Sequence, residues 1–484
     1  MSAGAFAGLT GPPASLPAPT PTLPAVAGAL EARQLLVRAL REAAPGRVLV
    51  VDVPAPLRAV ETLLAAGPGR ALVWQPPEGD GAALAGWGVA ARIEAHGPGR
   101  MAEVRARAEA LWARLDVAGV HAGPGPRLLG GFGFADGDGG VPWAEFPGAA
   151  FTLPRWRYLR EGARAGLSFA AEGPFDDGAQ VAAVGELDRL LSLLARGPRG
   201  QVVDLEEVGD GAVVDEPRAG FEARVEAIRA EIAAGRCEKI VAARAVTLTL
   251  PERASVAAVL ARLAQGAPAC TRFAFRESRS AFVGATPERL LAVAGLEVRG
   301  EALAGTARAG ADAGAALLGS GKDLVEHAPV VRAIAAALAP RCETLVVPAQ
   351  PILRQLGAIN HLLTPISGRL RVRTHLLELA AALHPTPAVG GAPAAPAQRW
   401  ISAHEPVARG WYAGPVGWFD GAGDGELAVA LRSGVLAGGG RLATLFAGAG
   451  IVAASEPAAE WLETELKLDS LRVALREAAR GEVA

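Results

Sequence analysis

Glu460, Glu463 and Lys467 recur at i, i+3 and i+7 within Ser455-Glu-Pro-Ala-Ala-Glu460-Trp-Leu-Glu463-Thr-Glu-Leu-Lys467. On a helix this spacing puts two carboxylates and an ammonium on one face, with the cation one turn beyond the acids. Two oxygen ligands beside a cation suit a hard divalent ion of the Mg2+ kind, held together with the carboxylate of a substrate. The same pattern on an exposed helix is an ordinary solvated pair worth about a few tenths of a kcal/mol. The preceding Phe446-Ala-Gly-Ala-Gly450 reads as a glycine turn, and Ser455 as a helix cap.

Other segments carry complementary chemistry. Lys239 opens a strand and is flanked by Ile240 and Val241, a setting that desolvates an amine and favours a neutral base. Glu288 ends Gly284-Ala-Thr-Pro-Glu288, where burial at a sheet edge would keep the carboxyl protonated as a general acid. Glu326 and His327 close Lys322-Asp-Leu-Val-Glu326-His327, and Arg432 lies in a strand running from Glu426 to Leu436. An acid and a base tuned in opposite senses suit displacement of a hydroxyl by water. Each residue alone has a plain alternative, a lysine at a strand end or a glutamate at a helix start.

The elements that must position these groups are helices and strands in alternation. A helical pattern from Leu30 to Arg41 leads to strands at Arg47–Asp52 and Arg70–Trp74; Ala102–Asp116 reads as a helix and Arg127–Phe134 as a strand. Asp136–Gly140 is a turn, and the pattern lapses between Gly197 and Pro217, which places a boundary near residue 215. Beyond it come a helix over Phe221–Gly235, a strand over Lys239–Leu250 and a closing helix over Ala458–Ala479. Strands at Gly417–Phe419, Glu426–Leu436 and Leu442–Ala447 follow one another through short turns, which favours antiparallel pairing. The expected organisation is a disordered Ala/Pro-rich tail over 1–28, an α+β region over 29–215 and a catalytic region over 216–480.

Composition narrows the function. With 484 residues, 51% of them hydrophobic, the chain can bury a large core. A net charge of −2 and the absence of a long basic run argue against nucleic acid or an anionic membrane as partner. Cys237, Cys270 and Cys342 are scattered without CxxC spacing, which fits a reducing cytoplasm. The first 28 residues lack Lys and Arg, so no secretory leader is expected, and no apolar run approaches the roughly 20 residues needed to span a bilayer.

Gly448-Ala-Gly450-Ile-Val-Ala453 matches a relaxed dinucleotide fingerprint, but too little chain follows the last helix to supply the second parallel strand. No HExxH pair and no Gly-x-Ser-x-Gly elbow is present. What remains is acid, amine and glycine chemistry.

Several strings fall in order along the chain: Lys239-Ile-Val-Ala-Ala-Arg244, Gly284-Ala-Thr-Pro-Glu288-Arg-Leu, Ala304-Gly305-Thr306-Ala-Arg and Lys322-Asp-Leu-Val-Glu326-His327. They continue with Leu383-His-Pro-Thr-Pro-Ala388-Val-Gly-Gly, Arg409-Gly-Trp-Tyr412-Ala-Gly-Pro-Val-Gly, Ala430-Leu-Arg432 and the C-terminal segment. Together they closely resemble the chorismate-utilising enzymes, from about Phe221 to Leu475. The resemblance implies an α+β fold in which large, mostly antiparallel sheets pack face to face with helices outside, in α/β/β/α layers. It implies Mg2+ held by Glu326 and Glu463, with Glu460 directly or through water. It places chorismate against Gly305, Thr306, His361, Ala388, Val389, Tyr412, Arg432, Gly448, Gly450 and Lys467. Lys239 would activate water for attack at C2 and Glu288 would protonate the departing C4 hydroxyl.

Position by position, the resemblance also selects among products. Lysine at 239 is similar to isochorismate and salicylate synthases, whereas anthranilate synthases carry glutamine and use ammonia, so no glutamine amidotransferase subunit is expected. Aminodeoxychorismate synthases carry a nucleophilic lysine two residues before the Gly-Thr pair, where this chain has Leu303. Lyase-capable salicylate synthases tend to have threonine where this chain has Ala388, which favours an isochorismate synthase. Val389 departs from the leucine common in the siderophore branch. The long N-terminal region and Pro365-Ile-Ser-Gly-Arg369-Leu are more similar to menaquinone-branch enzymes. Salicylate synthesis, a siderophore pathway and a silent chorismate-binding subunit are the alternatives.

Overall fold

Short apolar runs separated by Gly- and Pro-containing turns are too brief for helices, and in this chain they condense into two large sheets. The structure, a computed structural model, describes residues 29–118, 125–137, 139–197, 205–206, 215–357 and 359–481. The expected tail over 1–28 lies outside the described residues.

One sheet has 12 strands and the other 10, nine of them along its main path and one, Ile352–Leu356, paired off it with Ile359–Leu370. The first begins with Gly391–Ala392, Lys239–Thr249, Leu442–Ile451, Ser433–Ala437, Ala281–Thr286 and Thr271–Arg276, then continues into strands from the N-terminal region. The junction is the antiparallel pairing of Thr271–Arg276 with Ala71–Gln75. The second sheet includes Ile359–Leu370, Glu297–Arg308, Arg289–Ala294, Gly425–Val429, Pro415–Asp420 and Arg127–Phe132. Pairing is antiparallel throughout except between Val48–Pro54 and Leu115–Ala118.

The sheets pack face to face. Their inner faces meet in an aromatic core where Trp143, Phe146, Phe282 and Trp411 contact one another edge to face. Strands such as Arg127–Phe132 and Ala149–Leu153 are buried along their whole length, which is why they read as continuous rather than alternating apolar runs. A second core lies between the first sheet and the helices Ala29–Glu42, Asp177–Arg196, Val256–Gly266 and Pro457–Ala479. Helices Arg100–Trp112, Gly321–Leu338 and Leu376–Leu383 cover the second sheet. This is the α/β/β/α arrangement expected. Among the described residues no helix is long and apolar enough to cross a membrane.

Three local expectations are corrected. The helix expected over Ala102–Asp116 ends at Trp112, because Leu115–Ala118 is taken up as a strand beside Val48–Val51. The strand expected over Glu426–Leu436 is two strands, one in each sheet, joined by Ala430-Leu431-Arg432. Arg432 sits at φ 50°, a left-handed conformation that no strand interior accommodates. Gly448 and Gly450 form no turn; they are strand residues opposite Ala243 and Val241. The dinucleotide fingerprint therefore lacks the phosphate-cradling turn it requires.

Candidate active site

Of the places where the chain crosses between the sheets, two meet. Ala281–Thr286 belongs to the first sheet and Arg289–Ala294 to the second, so Pro287 and Glu288 form one crossing; Ala430–Arg432 forms the return. Thr286 Oγ1 donates to the Val429 carbonyl at 2.5 Å, and the Val429 amide donates to the Glu288 carbonyl at 3.0 Å, tying the crossings together. Both open onto one pocket.

Glu288 is 2% exposed and its Oε1 has no hydrogen-bond partner among the described residues. Burial, reinforced by the nearby Glu301 carboxylate, pushes its pKa up to about 8 against the opposing charges of Lys239, Lys467 and Arg354. A neutral carboxyl with an unspent oxygen is a proton donor awaiting an acceptor.

Lys239 is fully buried at the head of its strand. The desolvation expected from Ile240 and Val241 is present, together with a counter-ion the local sequence does not reveal. Nζ stands 3.1 Å from Glu326 Oε1 and 3.3 Å from the Glu326 carbonyl, across 87 residues of chain. Gly450 makes this pair possible. A Cβ there would stand 2.7 Å from Lys239 Cε and collide with Glu326 Oε1. Gly450→Ala is therefore expected to destabilise the protein by about 1–3 kcal/mol, the usual cost of overpacking, and to lower kcat/KM about 100-fold, the scale of a 1 Å misplacement.

The opposite wall carries a guanidinium, an imidazole and hydroxyl groups. The bulge at Gly305, φ 79°, shifts the register so that Thr306 faces His361 on the neighbouring strand. Arg432 Nη2 donates to His361 Nε2 at 3.0 Å, so the imidazole proton is on Nδ1, between the Gly305 carbonyl at 3.3 Å and Thr306 Oγ1 at 3.2 Å. Burial, then the charges of Arg432 and Lys467, keep His361 well below its ordinary pKa and hence neutral. Tyr412 stacks on Phe446 with centroids 5.3 Å apart, and burial raises its hydroxyl to about 12, leaving it a donor. Beyond Leu445 the Leu442–Ile451 strand loses its Ser433–Ala437 neighbour, and its remaining length contributes Gly448 and Gly450 to the pocket. Ala388 and Val389 complete the wall.

Twelve of the fifteen site residues expected from sequence line this pocket: Glu288, Gly305, Thr306, Glu326, His361, Ala388, Val389, Tyr412, Arg432, Gly448, Gly450 and Lys467. Lys239, Glu460 and Glu463 are not part of that lining. Glu463 accepts from Lys467 Nζ at 2.6 Å, so the i,i+4 pair of an ordinary helix does form; yet its side chains are only 16% and 17% exposed, and Lys467 also reaches the Gly448 carbonyl at 2.9 Å. Glu460, 1% exposed, accepts from Lys322 Nζ at 2.7 Å. Burial, then the Glu463 charge, raises the Glu460 pKa.

These contacts bear on whether Mg2+ fits. Each of the three glutamates is neutralised by an ammonium. The donors are all carboxylate oxygens, as Mg2+ prefers. Their charges converge: against the burial that disfavours its charge, Lys322 is held above its ordinary pKa by Glu460, Glu463 and Glu326 together. Among the described residues no three His, Cys, Asp or Glu side chains already stand as a ligand set, so the carboxylates must turn from their lysines toward the ion. The chemistry of the donor set fits a hard cation.

Two residues of the site have roles that the local sequence does not signal by itself. Arg409, 4% exposed, donates to the carbonyls of Val389 at 2.6 Å and Val241 at 2.9 Å and pairs with Glu405, fastening the Ala388-Val389 wall to the Lys239 strand. Lys322 is the other; its i,i+4 spacing to Glu326 was the available signal.

A protein-family model described as chorismate binding enzyme matches residues 47–476. The salicylate biosynthesis isochorismate synthase of Pseudomonas aeruginosa is 40% identical over 415 residues, 84% of each chain. The isochorismate synthase MenF of Bacillus subtilis is 34% identical over 372 residues, 73% of this chain and 76% of that one. Among solved structures, the menaquinone-specific isochorismate synthase MenF of Escherichia coli superposes with a TM-score of 0.73 at 26% identity, covering 93% of this chain and 100% of that one.

Proposed function

Since the chain belongs to the chorismate-binding enzyme family, we propose that it is an isochorismate synthase, converting chorismate to isochorismate. The observation that carries the reading is the protonated, unpartnered Glu288 in a pocket whose other groups include Arg432, Lys467 and, behind Gly450, Lys239. The names of the relatives in Pseudomonas aeruginosa and Bacillus subtilis support it.

In this mechanism Lys239 takes a proton from water as the water oxygen bonds to C2 of chorismate. The ring double bond migrates, the bond from C4 to its hydroxyl breaks, and Glu288 gives that hydroxyl its proton. Water enters and water leaves, so the reaction is an isomerisation needing no oxidant. Lys239 must first shed its extra proton to solvent, since an ammonium has no lone pair, whereas the neutral amine keeps one while an N–H still donates to Glu326. Arg432 would pair with one substrate carboxylate, with Tyr412 as a second donor. Glu326 and Glu463, with Glu460, would hold Mg2+, which when bound supplies positive charge for the ring carboxylate.

Leu303 and Ala304 occupy the wall beside Gly305, so no amine stands there to attack the ring in place of water. Purified protein with Mg2+ is expected to turn chorismate into isochorismate without releasing pyruvate, and EDTA to stop it. Salicylate and pyruvate as products would overturn the reading in favour of a lyase, and tight binding without product in favour of a silent subunit.

We assign the product to menaquinone synthesis, on the similarity to the MenF enzymes. A second destination is favoured by the 40% identity to the enzyme named for salicylate biosynthesis. Restoration of menaquinone in a strain lacking its own isochorismate synthase tests the first.

A further inference from the structure

We propose that Lys322 is the resident cation of the acidic face, holding the place of the divalent ion and leaving when the ion enters. The inference rests on the Mg2+ reading above. Three lysines neutralise three glutamates, and they differ in whether they can depart. Lys239 is sealed at 0% exposure, and Lys467 is fastened to both Glu463 and the Gly448 carbonyl. Lys322 makes one hydrogen bond among the described residues, to Glu460 Oε1, and its side chain is 32% exposed while that of Glu460 is 1% exposed.

That asymmetry defines an exchange. A carboxylate as buried as Glu460 is costly without a partner, so it retains an ammonium until a stronger cation replaces it. Lys322 has the flexible stem and the open side needed to swing into water, where an ammonium is well hydrated. It begins the helix Gly321–Leu338 one turn before Glu326, so the departing ammonium and an incoming ion share one helix face. No covalent bond changes. One charge-assisted hydrogen bond is broken and its oxygen becomes a free ligand atom. Metal binding is then a competition, and the apparent affinity is weaker than the carboxylates alone would give.

The test is Mg2+ binding by calorimetry at pH 8 without substrate. Lys322→Gln is expected to bind Mg2+ about tenfold more tightly than the wild type, whereas Lys322→Arg, which keeps a cation, binds no more tightly. In the wild-type protein, acylation of Lys322 followed by mass spectrometry is expected to speed up when Mg2+ is saturating. Unchanged or weaker Mg2+ binding by Lys322→Gln, or acylation that Mg2+ slows or leaves unchanged, overturns the proposal while leaving the Mg2+ reading standing. A wild-type protein that takes up no Mg2+ overturns both.

Discussion

Lys239→Ala is expected to abolish turnover of chorismate, lowering kcat by about 10²–10⁴, the range for loss of a general base. The amine acts on the attacking water and not on a group already in chorismate, so KM should change little, which is the signature of an interaction made only on the way to the transition state. The substitution also strips the buried Glu326 carboxylate of a partner 3.1 Å away, and breaking a buried pair from one side can cost about 3–5 kcal/mol. Thermal unfolding should therefore accompany the kinetics. Lys239→Gln keeps a hydrogen-bond donor for Glu326 and separates the two effects: it should fold nearly as well as the wild type and still not turn over. Normal turnover by either variant would sink Lys239 as the base.

Glu288→Gln carries the second large effect, with a pH signature of its own. With its pKa near 8, the wild-type carboxyl donates a proton below that pH and has none to give above it, so kcat/KM should fall as pH rises past about 8. The amide cannot protonate a leaving hydroxyl, so the variant should lose about 10²–10⁴ in kcat, and its residual rate should lack that alkaline limb. Stability moves the other way. From the ordinary value of 4.5 up to about 8, the folded protein retains a proton that the unfolded chain has released. Wild-type stability therefore declines as pH rises through that window. Glutamine has no proton to retain, so the variant should gain stability relative to the wild type between pH 5 and 8. Melting curves at both ends of that range check this, and an unchanged pH slope would mean that Glu288 is ionised in the folded protein.

The chemical types at the site were legible because they sit in short strings, and the antiparallel α+β class because strands follow one another through turns rather than through helices. What stayed hidden is long-range. Glu326 meets Lys239 over 87 residues and Glu460 meets Lys322 over 138, and no local pattern encodes either pairing. Arg432 was read as strand because residues on both sides favour extension; what breaks the strand is a passage between two sheets that only tertiary packing creates. The glycines at 448 and 450 were read as a turn for a related reason. Their composition signals freedom of the backbone, whereas at Gly450 the missing side chain makes room for Glu326 and Lys239.

The two crossings that carry Glu288 and Arg432 have a further consequence for how the protein comes into being. Each crossing has one foot in the 12-stranded sheet and the other in the 10-stranded sheet. Neither sheet by itself can place the acid or the guanidinium, so catalytic competence requires both sheets to be formed and docked. Recovery of activity after dilution from denaturant thus reports the docking of one sheet on the other, a step that spectroscopic signals of strand content alone do not isolate.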